Sequence, residues 1–232
     1  MFTTQKITAV YDQIGLYFSA TRQHLSKEVI SLLPACISCA ESTAGRPKLP
    51  AHARILDLGC GNGVLLTALD RRSLSEGGSI NYTGIDISRA MIDEARSRLA
   101  GPNTKFLLAD ITDPALWPTL PRYDFIAALA VFHHLPRRAD HLALLSQIKN
   151  HLQPGGTALI SIWNLKQPKF DQFRVNHRHY SIPFHKGPCR DFYALSETEL
   201  VSLAKQTGLT AKKISRTKNN LYLTVFPQTC DT

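Results

Sequence analysis

A doubly wound α/β fold is predicted by three observations on this sequence. Apolar segments of strand length alternate with segments of helical period, a glycine-rich turn follows the first of those strands, and 44% of the 232 residues are apolar. That composition and length can bury one full α/β core but not two comfortable ones. Regular alternation of strand and helix implies a mostly parallel sheet covered on both faces, because parallel neighbours need crossover helices between them.

The elements follow in order. Residues 6–40 read as one or two helices, with Tyr11, Ile14, Tyr17 and Phe18 at helical spacing and a second apolar series through Val29, Ile30, Leu32 and Leu33. Residues 41–53, small, polar and proline-containing, form a linker. Next come the strand ARILDLGC, the helix GVLLTALDRRS and the strand INYTGIDIS. The helix SRAMIDEARSRLA opens on a Ser88 cap. KFLLADI and YDFIAALAVF are further strands, HLALLSQIKNHL is a helix ended by Pro-Gly-Gly, and TALISIW is the next strand. SETELVSLAKQTG is a helix with Ser196 and Glu199 as a capping box and Gly208 closing it. AKKISRT and NLYLTVF form an antiparallel hairpin at the sheet edge. The chain thus divides into an N-terminal helical lid and linker, 1–50, and a main domain, 51–232, carrying an insertion over 164–195.

No apolar run approaches the roughly 20 residues of a membrane span, and MFTTQKITAVYDQIG lacks the plan of a secretory signal. A soluble, cytoplasmic protein with no membrane partner is expected. Five scattered cysteines do not form a disulfide framework. Cys36 and Cys39 make a lone Cys-x-x-Cys without a matching second pair, so no metal site is expected. A formal net charge of +9 favours partners carrying phosphates or carboxylates, although a generally basic surface would also serve solubility.

In ILDLGCGNG the strand ends at Leu58, and Gly59, Gly61 and Gly63 follow before a helix starts at Val64. Such glycines allow a tight turn and let a ligand approach the backbone. A dinucleotide fingerprint starting at Gly59 would need Gly or Ala where Val64 stands, which argues against a nicotinamide cofactor. Asp57, Asp86 and Asp110 each sit at or near the end of a strand. Taken singly, any of them could be a helix cap or turn former. Three at successive strand ends, after a glycine loop, point to one crevice in which Asp86 offers two acceptors to ribose hydroxyls.

ILDLGCGNG, YTGIDIS, FLLADI, YDFIAALAVFHHL and HLQPGGTALISIW resemble, in order and spacing, the motifs of class I S-adenosyl-L-methionine-dependent methyltransferases. The resemblance implies a Rossmann-like, seven-stranded sheet and that cofactor. It would place Asp57, Gly59 and Gly61 along the methionine half, Asp86 on the ribose, Asp110 and Ile111 at the adenine with Ile87 on its face, and Ala130 at the sulfonium. In-line methyl transfer needs alignment and a dry pocket more than acid-base groups. His133 and His134 follow the fourth strand, where one could orient the nucleophile or act as a base, or simply be structural. Adjacent residues on a helical turn diverge, so at most one is expected to face the site.

The segment 166–193 holds six Lys or Arg, three His and six aromatics against two acids. Basic and aromatic side chains together offer phosphate contacts and stacking faces, and a lid for a small acidic molecule would use the same residues. YDQIGLYFSATR, AVFHHLPRRADHLALL, ISIWNLKQPKF, CRDFYALSETELVSLAKQTGL and NNLYLTVF are together similar to the tRNA methyltransferases that esterify 5-carboxymethyluridine at the wobble position. That similarity implies tRNA as partner, phosphate contacts from Lys166, Lys169, Arg174 and Arg178, and Arg22, then Arg190, as the arginine orienting a carboxylate. Tyr11, Tyr17 and Arg22 resemble residues that cover the cofactor. Some eukaryotic members of that family work with a small activator subunit. A small-molecule O- or C-methyltransferase for an acidic or quinone-like metabolite, and a noncatalytic cofactor-binding RNA partner, are the alternatives.

Overall fold

The computed structural model describes residues 3–37, 52–69 and 79–228. Most of the expected linker, Cys39, Cys230 and the side chain of Cys36 lie outside the described residues. Two helices, α1 (Thr4–Thr21) and α2 (Lys27–Ile37), precede an alternating series: β1 (His52–Leu58), α3 (residues 64–69), β2 (Ser79–Asp86), α4 (Arg89–Leu99), β3 (Thr104–Leu108), β4 (Tyr123–Leu129), α5 (Arg138–His151) and β5 (Leu152–Trp163). A hairpin of β6 (His179–Pro183) and β7 (Cys189–Tyr193) follows, then α6 (Glu197–Gln206), β8 (Leu209–Arg216) and β9 (Asn220–Pro227).

Seven strands form one sheet in the order β3-β2-β1-β4-β5-β9-β8. β1 to β5 pair in parallel, and β9 runs antiparallel to both β5 and β8. Strand order reverses at β1, which has β2 on one side and β4 on the other, and such a switch point opens a crevice at the strand C-termini. Residues 55–58 of β1 are all buried because helices cover both faces of a parallel strand. Leu56, Leu58 and Ile126 pack with Leu145 of α5 and Leu200 of α6 on one face, and Ile55 and Phe125 pack with Leu33, Leu66 and Ile92 on the other. Among the described residues no helix is long and apolar enough to cross a membrane.

Local chemistry sets the helix ends. Ser88 Oγ accepts the Met91 N–H to start α4, and Ser196 with Glu199 closes a reciprocal capping box on α6. Three details depart from the sequence reading. Tyr17 is 55% exposed, so the buried stripe of α1 runs instead through Val10, Ile14 and Ser19. The Pro-Gly-Gly turn does not separate α5 from its strand. β5 begins at Leu152, ahead of it, and Pro154 to Gly156 form a break in the β4–β5 register, since Pro154 has no N–H for the ladder and Gly155 has a φ of 77°. The insertion is no open loop: Leu165, Tyr180, Ile182, Phe192 and Ala194 give it a small core, so the hairpin packs as an ordered unit beside the sheet.

Candidate active site

The crevice at the strand ends opens into a cavity of about 720 Å³. All eight residues expected around the cofactor line it: Asp57, Gly59, Gly61, Asp86, Ile87, Asp110, Ile111 and Ala130. Gly59 (φ 69°) turns the chain against Val131, where a Cβ would collide with the valine side chain. A Cβ at Gly61 would meet nothing within 4 Å, which leaves ligand-sized space over that backbone. Asp86 accepts the Gly61 N–H (2.8 Å) on one oxygen and the Ser88 N–H (2.9 Å) on the other, with the Ile87 N–H also acting on the carboxylate, which keeps acceptor capacity for a hydroxyl. Asp57 is 3% exposed and accepts the Tyr82 hydroxyl at 2.6 Å. Burial pushes its carboxyl up to about 7, the Tyr82 bond opposes that rise, and the Asp86 charge adds to it. Asp110 caps its own turn by accepting from Thr112 N and Oγ1. Ala130 holds a φ of 58°, and its N–H is fixed by Ser161 O and Oγ, each at 3.0 Å. These acceptors, and the clear space over Gly61, fit a nucleoside with an amino-acid tail.

α1 closes one side. Ser88 Oγ donates to Asp12 (2.7 Å), and the buried Asn62, between two glycines of the loop, donates to Ser19 Oγ (3.0 Å) and to the Arg22 carbonyl (3.1 Å). Arg22 therefore stands beside the glycine loop, its exposed guanidinium 5.1 Å from the Phe18 ring centre.

Arg190, from β7, is different in kind. It is 7% exposed, lines the cavity, and has an Nε–H without an acceptor. No carboxylate among the described residues pairs with it. Its guanidinium lies 4.8 Å from the centre of Phe184 and 5.2 Å from those of Trp163 and Phe192. Those π faces offset part of the cost of burying a cation and leave its Nε–H without an acceptor.

Both histidines line this cavity, with ring centres 4.6 Å apart, which corrects the expectation that at most one would face it. The Trp163 N–H donates to His133 Nδ1 (3.2 Å), so Nδ1 is the lone-pair nitrogen and the proton sits on Nε2. His134 Nε2 bonds the Tyr11 hydroxyl at 2.9 Å. Burial, then the neighbouring His134 and Arg190, hold His133 well below the usual imidazole range. Burial and Arg190 push His134 down to about 3. Both rings are neutral at physiological pH, and His133 offers an N–H rather than a base.

Of the four cations expected to contact phosphates, only Lys169 lines the cavity, with its ammonium on Asn219 Oδ1 (2.7 Å). Lys166 and Arg178 pair with Glu199 (3.4 and 2.5 Å), and Arg174 pairs with Asp171 (2.5 Å). The sequence reading missed Asn62, Asn219 and Asn220 in this wall. Asn62 had a signal, a polar side chain inside the glycine loop; Asn219 in the β8–β9 turn and Asn220 at the start of β9 are brought to the site only by the hairpin's fold.

Residues 24–213 match the family model described as "Methyltransferase domain". The chain is 39% identical over 113 residues to trans-aconitate 2-methyltransferase of Agrobacterium fabrum, covering 48% of this chain and 40% of that protein. It is 28% identical over 159 residues to tRNA (carboxymethyluridine(34)-5-O)-methyltransferase of Macaca fascicularis, covering 68% of this chain and 20% of that protein. It is 26% identical over 166 residues to ubiquinone biosynthesis O-methyltransferase of Stutzerimonas stutzeri, covering 71% and 67%. The chain thus spans well under two thirds of the length of the first two relatives. Among solved structures, a DhpI-SAM-HEP complex superposes with a TM-score of 0.64 at 19% identity, covering 96% of this chain and 97% of that one. The match over most of the chain and the cofactor-shaped crevice agree: the chain belongs to the methyltransferase domain family, with S-adenosyl-L-methionine as its cofactor.

Proposed function

We propose that this methyltransferase esterifies a carboxylate, and that the carboxylate is the carboxymethyl group of a modified wobble uridine in tRNA. The observation that carries the reading is Arg190, a buried guanidinium in the wall of the reaction cavity with no carboxylate partner among the described residues. A fork of N–H donors in an aromatic surround suits bidentate capture of a carboxylate. The histidines support the same class of acceptor. His133 Nδ1 already accepts a backbone N–H and His134 Nε2 is engaged with Tyr11, so a phenol or alcohol would find no ring ready to take its proton. A carboxylate is ionised at neutral pH and needs none. The bound cofactor supplies the electrophilic methyl on a sulfonium. This chain's residues hold the acceptor in line, with Arg190 gripping one edge of the carboxylate and the His133 Nε2–H available to an oxygen. Arg22, fixed beside the glycine loop, serves the cofactor side, so Arg190 takes the role that the sequence reading gave first to Arg22.

The tRNA carrier is supported by the +9 charge, by the similarity to a carboxymethyluridine methyltransferase, and by Lys169 with its aromatic neighbours at the cavity. A second reading, a small acidic metabolite, is favoured by the internal pairing of Lys166, Arg174 and Arg178, which leaves them less free for phosphates. The test is mass spectrometry of nucleosides from tRNA of cells with and without the gene. Loss of the wobble methyl ester with accumulation of the free acid is expected. An unchanged nucleoside profile, with trans-aconitate methylated by the pure protein, would overturn the tRNA carrier in favour of the small acid.

A further inference from the structure

Tyr11 was expected to cover the cofactor, yet its polar contacts run to the acceptor side. Its hydroxyl meets His134 Nε2 at 2.9 Å, its ring stands edge-on to His134 at 5.4 Å, and Tyr11, His134 and Arg190 line one small cavity together, where the guanidinium is the cation that acts most strongly on the phenol oxygen. A phenol oxygen beside a guanidinium turns its lone pairs toward the cation and its hydrogen away. Here the hydrogen then points at His134 Nε2, which must be the unprotonated nitrogen. The same helix grips β7 a second time: Lys6 pairs with Asp191 (2.5 Å), whose other oxygen accepts from Ser181 (2.7 Å). Successive β7 side chains alternate, so α1 holds Arg190 on the cavity side and Asp191 on the other. On its other flank α1 holds the cofactor wall, through Asp12 on Ser88 and Ser19 on Asn62.

We propose that Tyr11 is a positioning residue for acceptor binding: by donating to His134 Nε2 and presenting its oxygen to Arg190, it fixes the plane in which the guanidinium meets the acceptor. This rests on the carboxylate reading above. The residue acts through Arg190. Few other groups could set that plane, since the three rings around the guanidinium contact it without directional hydrogen bonds and its Nε–H has no protein acceptor. Loss of the hydroxyl alone would leave the cation in place but free to rotate, and His134 free to change tautomer.

The test uses the full chain, wild type against Tyr11→Phe, with Leu16→Ala as a control because that side chain is largely exposed on the same helix. Ring 15N shifts should report His134 as the Nδ1–H tautomer in the wild type and as a mixture in Tyr11→Phe. With tRNA carrying 5-carboxymethyluridine, and separately with trans-aconitate, KM for the productive acceptor should rise about tenfold in Tyr11→Phe, while the cofactor Kd and the Leu16→Ala values stay within about twofold. An Nε2–H tautomer in the wild type, or an unchanged acceptor KM in Tyr11→Phe where Arg190→Lys raises it, would overturn the positioning role. If neither Tyr11→Phe nor Arg190→Lys moved KM for either acid, the carboxylate reading would fail instead, and the histidine shifts would still judge the Tyr11 contact on their own.

Discussion

Asp57 carries a carboxyl that burial lifts to about 7, and the family resemblance puts it along the methionine half of the cofactor, which bears an ammonium. A cation there favours the ionised form, so binding at neutral pH must expel a proton. Cofactor affinity should therefore rise about tenfold between pH 6 and 8, and calorimetry in buffers of different ionisation enthalpy should register about half a proton released at pH 7. Asp57→Asn should lose both effects; a wild-type affinity flat across that range would contradict the assignment. In the empty protein the sign runs the other way. A folded-state pKa raised above the unfolded value near 3.8 contributes stability that is fully present below that value and is lost as pH rises toward 7. Arg190 supplies the second expectation at this scale. Arg190→Ala removes charge-assisted hydrogen bonds to the acceptor, and kcat/KM should fall by roughly 10- to 100-fold with the cofactor Kd unchanged. Equal losses of cofactor and acceptor binding would place the residue on the wrong side of the cavity.

Elements decide where these residues stand. Deleting residues 1–24 removes the Tyr11, Ser19 and Arg22 contacts but none of the seven-stranded sheet, so turnover should be abolished while cooperative unfolding persists. Unchanged turnover would remove α1 from the site. α6 contributes through Glu199, whose carboxyl burial would raise, but which hydrogen bonds from Ser196 and Arg178 and the charge of Lys166 bring down to about 2. A depressed pKa contributes stability above the unfolded value near 4.5 and loses it as pH falls toward 2. Denaturant unfolding of Glu199→Gln beside the wild type should show a gap constant from pH 8 to 6 that shrinks as acid protonates the wild-type group. A gap independent of pH would mean that packing, not charge, carries the effect.

The glycine loop, the strand-end acids and the helix caps were legible in the sequence because each is a local pattern: chain neighbours determine the turn, the strand end and the cap. What escaped was set by distant partners. Tyr11 and His134 are 123 residues apart, and Glu199 neutralises two cations of an insertion that composition alone described as freely basic. The burial of Arg190 escaped for the same reason, since an arginine's enclosure by aromatic rings cannot be counted from its neighbours in the chain.

At the scale of the whole molecule, one cavity brings together the strand ends of β1, β2, β3 and β4, side chains of α1, and a buried guanidinium from the β6–β7 hairpin. An anion meeting a sulfonium in such a pocket cancels charge on the way to the transition state, so an apolar wall helps once both ions are held. The central claim is that the methylated atom is a carboxylate oxygen. The most direct measurement is the alkali lability of the transferred methyl: the pure protein is incubated with methyl-labelled cofactor and tRNA carrying 5-carboxymethyluridine, or with trans-aconitate, and the product is treated with mild base. Quantitative release of the label as methanol is the predicted result. Label that survives the base, as an ether, an N-methyl or a C-methyl group would, contradicts the account.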